Sequence, residues 1–98
     1  MAIRYTREYD LILDDLSQAL ATVPDFYEAF DMDAEQWNEL DRNERDICIR
    51  TLSDDLFYAL GTEASFPVGS AVAEYDAGHG IIKIAATPQL VHVIPLRD

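Results

Sequence analysis

The sequence predicts an α+β fold: N-terminal helices, two long and one or two short, packed with a three- to four-stranded antiparallel β-meander. Two observations predict it. Before Gly61 the apolar residues recur at helical spacing. After Gly61 they fall in short runs broken by Gly- and Pro-containing turns. The charge divides at nearly the same place: residues 1–63 hold 16 acids and 5 bases (−11), and residues 64–98 hold 3 acids and 2 bases (−1). A shift from helices to strands along the chain suggests segregated layers. The 98 residues are expected to form one domain, with helices over about 6–61 and the meander over about 69–96.

The first helix is predicted over residues 6–22. Tyr9, Ile12, Leu13, Leu16, Ala19, Leu20 and Val23 form one stripe, with Thr6 as a candidate N-cap. Pro24 interrupts it, because the residue before a proline is biased away from helix. "PDFYEAFDM" then reads as a short aromatic helix or turn, with Phe26 and Phe30 sharing a face. Asp33 with Gln36 and Asp41 with Glu44 match capping boxes. The first opens a segment anchored by Trp37 and Leu40. The second opens the longest helix, for which Gly61 is a natural stop. That helix has two apolar faces, Ile49/Leu52/Leu56/Leu60 and Ile47/Thr51/Tyr58, and is therefore expected to pack on both sides.

"TEASFPVGS" reads as a connector. "SAVAEYD", "GIIKIAAT" and "LVHVIPL" read as strands joined by short turns. Ile82 and Ile84 alternate with Lys83, which sets an inner and an outer face. Pro95 suits an edge strand, and "AIRY" near the start is a candidate fourth strand.

Composition narrows the function. A formal net charge of −12 disfavours direct binding to nucleic acid or to an anionic membrane. No apolar run approaches the ~20 residues that span a bilayer, and "MAIRYTREYD" lacks the apolar core of a signal peptide. The one cysteine, Cys48, cannot form an internal disulfide, so a cytoplasmic location is expected. It lies beside the main stripe of the long helix and reads as a small hydrophobe. Three explanations compete for the acidity: a solvated surface, a docking face for a basic partner, and mimicry of a nucleic-acid backbone.

One internal echo raises a sharper question. Residues 14–22 and 54–62 match at six of nine positions, including Asp14/Asp15 and Asp54/Asp55. At ~100° per residue, Asp14 and Asp54 point away from the core and Asp15 and Asp55 flank it. A metal site in a helical bundle wants inward ligands, commonly with a histidine at i+3. His79 and His92 both lie in the β half, so no metal or cofactor is expected. Along the long helix Arg42, Asp46, Arg50 and Asp54 follow at four-residue steps, which makes Asp54 the expected partner of Arg50. Asp10 and Asp14 have no base one turn on.

Together these features suggest a small non-enzymatic interaction or regulatory protein that binds a basic protein. Its candidate binding face is acidic: Asp10, Asp14, Asp25 and Glu28. A homodimer is compatible with so short a chain. One alternative is a DNA-mimic inhibitor of a basic nucleic-acid-binding protein. Another is a small metal-dependent or hydrolytic enzyme using Asp15, Asp55 or His92.

Overall fold

In the computed structural model, which describes residues 3–97 (of residues 29 and 30 the backbone only), three α-helices pack on one face of a four-stranded antiparallel sheet. Helix α1 spans Tyr9–Leu20, α2 Ala34–Glu39 and α3 Arg42–Thr62, with a 3-10 turn over Phe26–Phe30 between α1 and α2. Strands β1 (Ser65–Val68), β2 (Ala71–Asp76), β3 (Ile81–Thr87) and β4 (Leu90–Pro95) lie side by side in chain order. Among the described residues no helix is long and apolar enough to cross a membrane.

Helix α1 buries the predicted stripe: Ile12, Leu13, Leu16, Ala19 and Leu20. Thr6 is not its N-cap. The backbone N–H groups of Thr6 and Arg7 both donate to Leu96 O, so the chain is still tied to the end of the sheet there. The helix starts two residues later, with Glu8 at the cap position. Both capping boxes form, Asp33 with Gln36 and Asp41 with Glu44, each satisfying two otherwise orphaned N–H groups. Helix α2 has no fully buried residue; Trp37 fixes it by packing edge-on against Phe26 at 4.7 Å between ring centroids. The expected pairing of Phe26 with Phe30 lies outside the described residues.

Helix α3 presents Leu52, Ser53, Leu56, Phe57 and Leu60 to the core and runs through Gly61 to Thr62. Its second apolar face is open rather than packed: Ile47 is 58% exposed and Tyr58 68%. The expectation of a helix covered on both sides fails because the aromatic segment docks near the start of α3, through Trp37 and Arg45, and does not lie along it.

The sheet adds a strand within the expected connector. Phe66 and Val68 in β1 pair with Ala73 and Ala71, and the fourth strand is therefore β1, not "AIRY". Residues 3–5 are irregular, and Ala2 lies outside the described residues. A two-residue turn joins β1 to β2, with Gly69 at φ +57°, where an L-residue is strained. The inner face carries Ala71, Ala73, Ile82, Ile84, Ala86 and Ile94. The small alanines of β2 let helices approach closely, and α1 and α3 share one continuous core with this face. Prolines sit on both edge strands, Pro67 in β1 and Pro95 in β4. There a missing N–H costs no ladder bond and discourages pairing with another chain.

Candidate interaction surface

Helices α1 and α3 lie antiparallel. The start of α1 meets the later part of α3, where Tyr9 packs edge-on against Phe57 at 5.0 Å, and Ala21 beyond the end of α1 faces Ile47 near the start of α3. Polar side chains stitch the pair. Ser53 is fully buried and donates to Ile49 O at 2.9 Å. Its single proton is thereby used, so Ser17 donates to Ser53 Oγ across the helices at 3.0 Å.

The acids on this pair are arranged differently from the expectation. Arg50 reaches across to α1, with Asp14 at 2.5 Å and Asp10 at 3.2 Å. Asp54, the expected partner one turn along α3, instead accepts from the Tyr9 hydroxyl. Burial first, and the neighbouring carboxylate second, push the Tyr9 hydroxyl well above the usual tyrosine range, so it remains a donor. The ridge on α1 is therefore not uncompensated: its base comes from the other helix, which spacing within one helix cannot reveal. The Asp–Asp pairs also differ in placement. On α1, Asp14 is outward and Asp15 on the flank, as expected. On α3 the order is reversed, with Asp54 half-buried and Asp55 exposed. The third helix is rotated so that Phe57 joins Leu56 in the core, which carries Asp54 inward.

The other two residues of the candidate face behave unlike each other. Asp25 Oδ1 accepts from both the backbone N–H and the hydroxyl of Ser70, each at 3.0 Å. The Ser70 N–H above all holds the Asp25 carboxyl below the usual aspartate range, against the opposing effect of burial. Asp25 is thus a clasp between the end of the α1 segment and the β1–β2 turn. Glu28 is exposed on the 3-10 turn.

The residues of the enzyme alternative are not brought together. Asp15 pairs with Arg7 at 2.7 Å, Asp55 is exposed on α3, and His92 Nε2 lies 3.0 Å from Thr22 Oγ1. Thr22 gives its own proton to Ala19 O, so His92 is the donor in that contact. His79 sits in the β2–β3 turn against Asp76 at 2.7 Å, the contact that most strongly lowers the Asp76 pKa. Among the described residues no group of three or more His, Cys, Asp and Glu is placed to hold a metal ion.

A groove of about 580 Å³ opens between the C-terminal part of α1 and the N-terminal part of α3. Ala21, Ile47 and Ile49 give it an apolar lining, with Asp46 and Arg50 beside them. Arg50 connects the groove to Asp10 and Asp14. The sequence pattern puts Ile47 in a packed face and so does not announce the groove; the signal it carries is a two-faced helix with too few helical segments to cover both faces. No family model, curated protein or solved structure matches the chain.

Proposed function

We propose that the chain is a non-enzymatic interaction protein that binds a basic protein partner through the groove between α1 and α3. The observation that carries this reading is the groove itself: an apolar lining with a largely exposed Ile47, set in the acidic half of the chain beside Asp46, Asp10 and Asp14. A partner helix with an apolar face and basic flanks fits such a surface, apolar contacts giving affinity and the acids giving orientation and association rate. Glu28 and the exposed acids of α2 add to the field without making the contact, while Asp25 is engaged with Ser70. The nucleic-acid-mimic alternative draws less support, because the groove is lined by Ala21, Ile47 and Ile49, an apolar surface that a phosphate backbone does not present.

Affinity capture from a lysate of the host cell, with Ile47→Asp and Asp10→Lys/Asp14→Lys as comparison baits, tests the proposal. A basic protein should be retained by the wild type, at least tenfold less by either variant, and less as NaCl rises from 0.1 to 0.5 M. Retention that both variants leave intact, or no retained protein, would overturn it.

A further inference from the structure

The face of the sheet turned away from the helices is uncovered among the described residues, and its chemistry differs from the rest of the molecule. The strand register aligns Pro67, Val72, Ala85 and Val91 in one apolar row across all four strands. Val72 is 37% exposed, Val91 48% and, one row on, Val93 56%. That next row runs Ser65, Glu74, Lys83, Val93. The charges on this face come close to cancelling: Lys83 is the cross-strand neighbour of Glu74 and lies 3.9 Å from Asp76. Apolar side chains aligned on one uncovered face offer a surface for association, and the larger such a patch is, the more it marks an interaction site.

We infer that this face is the interface of a homodimer, in which two copies pack sheet against sheet. Charge selects a second copy as the occupant. Two chains of net charge −12 repel, and −11 of that lies in residues 1–63, so the sheet side is where they meet at least cost. A basic partner, in contrast, has little to attract it there. Edge-to-edge pairing is discouraged by Pro67 and Pro95, which leaves face-to-face packing at about 10 Å between sheets.

The row is also self-complementary. A twofold axis along the strands, between β2 and β3, exchanges the positions of those strands. It lays Val72 of one copy over Ala85 of the other, Val91 over Pro67, and Lys83 over Glu74. A large side chain thus meets a small one and a base meets an acid, as an isologous interface requires. Four strands at ~4.8 Å spacing and ~20 Å length give a footprint of roughly 400 Å² per copy. The total of ~800 Å² lies below the ~1,200–2,000 Å² of stable interfaces and in the range of transient association, so the dimer should be weak and concentration-dependent. Both grooves would face outward, giving one dimer two partner sites, but the inference does not depend on the groove reading.

Sedimentation velocity from about 5 to 500 µM tests it, with circular dichroism to show that each variant folds. The expected result is a monomer–dimer equilibrium that tightens several-fold between 0.05 and 0.5 M NaCl, as screening reduces the repulsion. Val91→Glu should weaken association at least tenfold. Lys83→Glu should weaken it too, and the exchanged pair Glu74→Lys/Lys83→Glu should restore it. If Val91→Glu does not fold, concentration-dependent amide shifts of the wild type decide: shifts at residues 72, 83, 85, 91 and 93 support the inference, and shifts confined to α1 and α3 overturn it. A monomer throughout, or a dimer that Ile47→Asp abolishes and Val91→Glu does not, overturns it as well.

Discussion

Replacing Arg50 with alanine tests how the acidic ridge on α1 is held. The Asp14 carboxylate lies 2.5 Å from the guanidinium and is 54% exposed; Asp10 lies at 3.2 Å and is 86% exposed. Solvent-exposed ion pairs contribute about 0.2–1 kcal/mol each. The shorter, less exposed Asp14 pair belongs in the upper half of that range and the Asp10 pair in the lower. Without Arg50, the like-charged Asp10–Asp14 neighbours also repel by roughly 0.2–0.5 kcal/mol. Arg50→Ala should therefore destabilise the protein by about 1–2 kcal/mol, a fall in Tm on the order of 5–15 °C for a chain this size. The decisive assay is a pair of double-mutant cycles read by urea unfolding at 0.1 and 1 M NaCl. Arg50→Ala with Asp14→Ala should give a coupling of ~0.5–1 kcal/mol at the lower salt, shrinking by half or more as the Debye length falls from ~10 to ~3 Å. Arg50→Ala with Asp54→Asn should give almost none, because Asp54 is bound to Tyr9. Coupling to Asp54 with none to Asp14 would refute the cross-helix assignment and restore pairing within α3.

Two further perturbations address the Asp25 clasp. Gly69→Ala should cost about 2–4 kcal/mol, because the position has φ +57° and a Cβ there would lie 2.5 Å from Asp25 Oδ1 and 2.6 Å from its backbone oxygen; a loss under ~1 kcal/mol in urea unfolding would show that the turn relaxes freely. Asp25→Asn tests the pH linkage. A carboxyl whose folded pKa is depressed stabilises the fold above the usual aspartate value of about 4 and loses that contribution as pH falls through the folded value. The stability difference between wild type and Asp25→Asn should be constant from about pH 7 to 5 and shrink below ~4; a difference flat to pH 2 would count against the assignment.

What was legible in the sequence follows the range of the forces involved. The α1 stripe, the two capping boxes and the Ile82/Lys83/Ile84 alternation each depend on neighbours a few residues apart, and all appear as read. Strand β1 is not legible because four residues containing Pro67 carry no alternation of their own; it is a strand only because Ala71 and Ala73 offer a ladder after the Gly69 turn. Periodicity pairs Asp54 with Arg50 because it describes one helix at a time. The Arg50–Asp14 and Tyr9–Asp54 contacts span 36 and 45 residues, and nothing local encodes them. The echo between residues 14–22 and 54–62 likewise concealed a rotation: the shared leucines are buried in both helices, yet the paired acids exchange roles.

The acids of the helical half are not one population. Asp33 and Asp41 cap helices, Asp25 clasps a turn, Asp15 holds Arg7, and Asp10 and Asp14 share Arg50. Among the described residues the side chains of Glu28, Glu35, Glu39 and Asp46 are exposed and make no hydrogen bond or ion pair. Local structure therefore accounts for the placement of the first group but not the second, whose like charges cost stability on a small domain. Retaining them is consistent with a role in attracting a basic partner to the helical side. The sheet side carries no comparable surplus, so the two faces should respond to salt in opposite directions. Screening weakens attraction between the acidic half and a basic protein, and it strengthens contact between two like-charged copies. A single NaCl titration on the wild type, reading partner retention and dimer fraction together, thus separates the two surfaces without any mutation, and parallel changes in both would mean that one face serves both contacts.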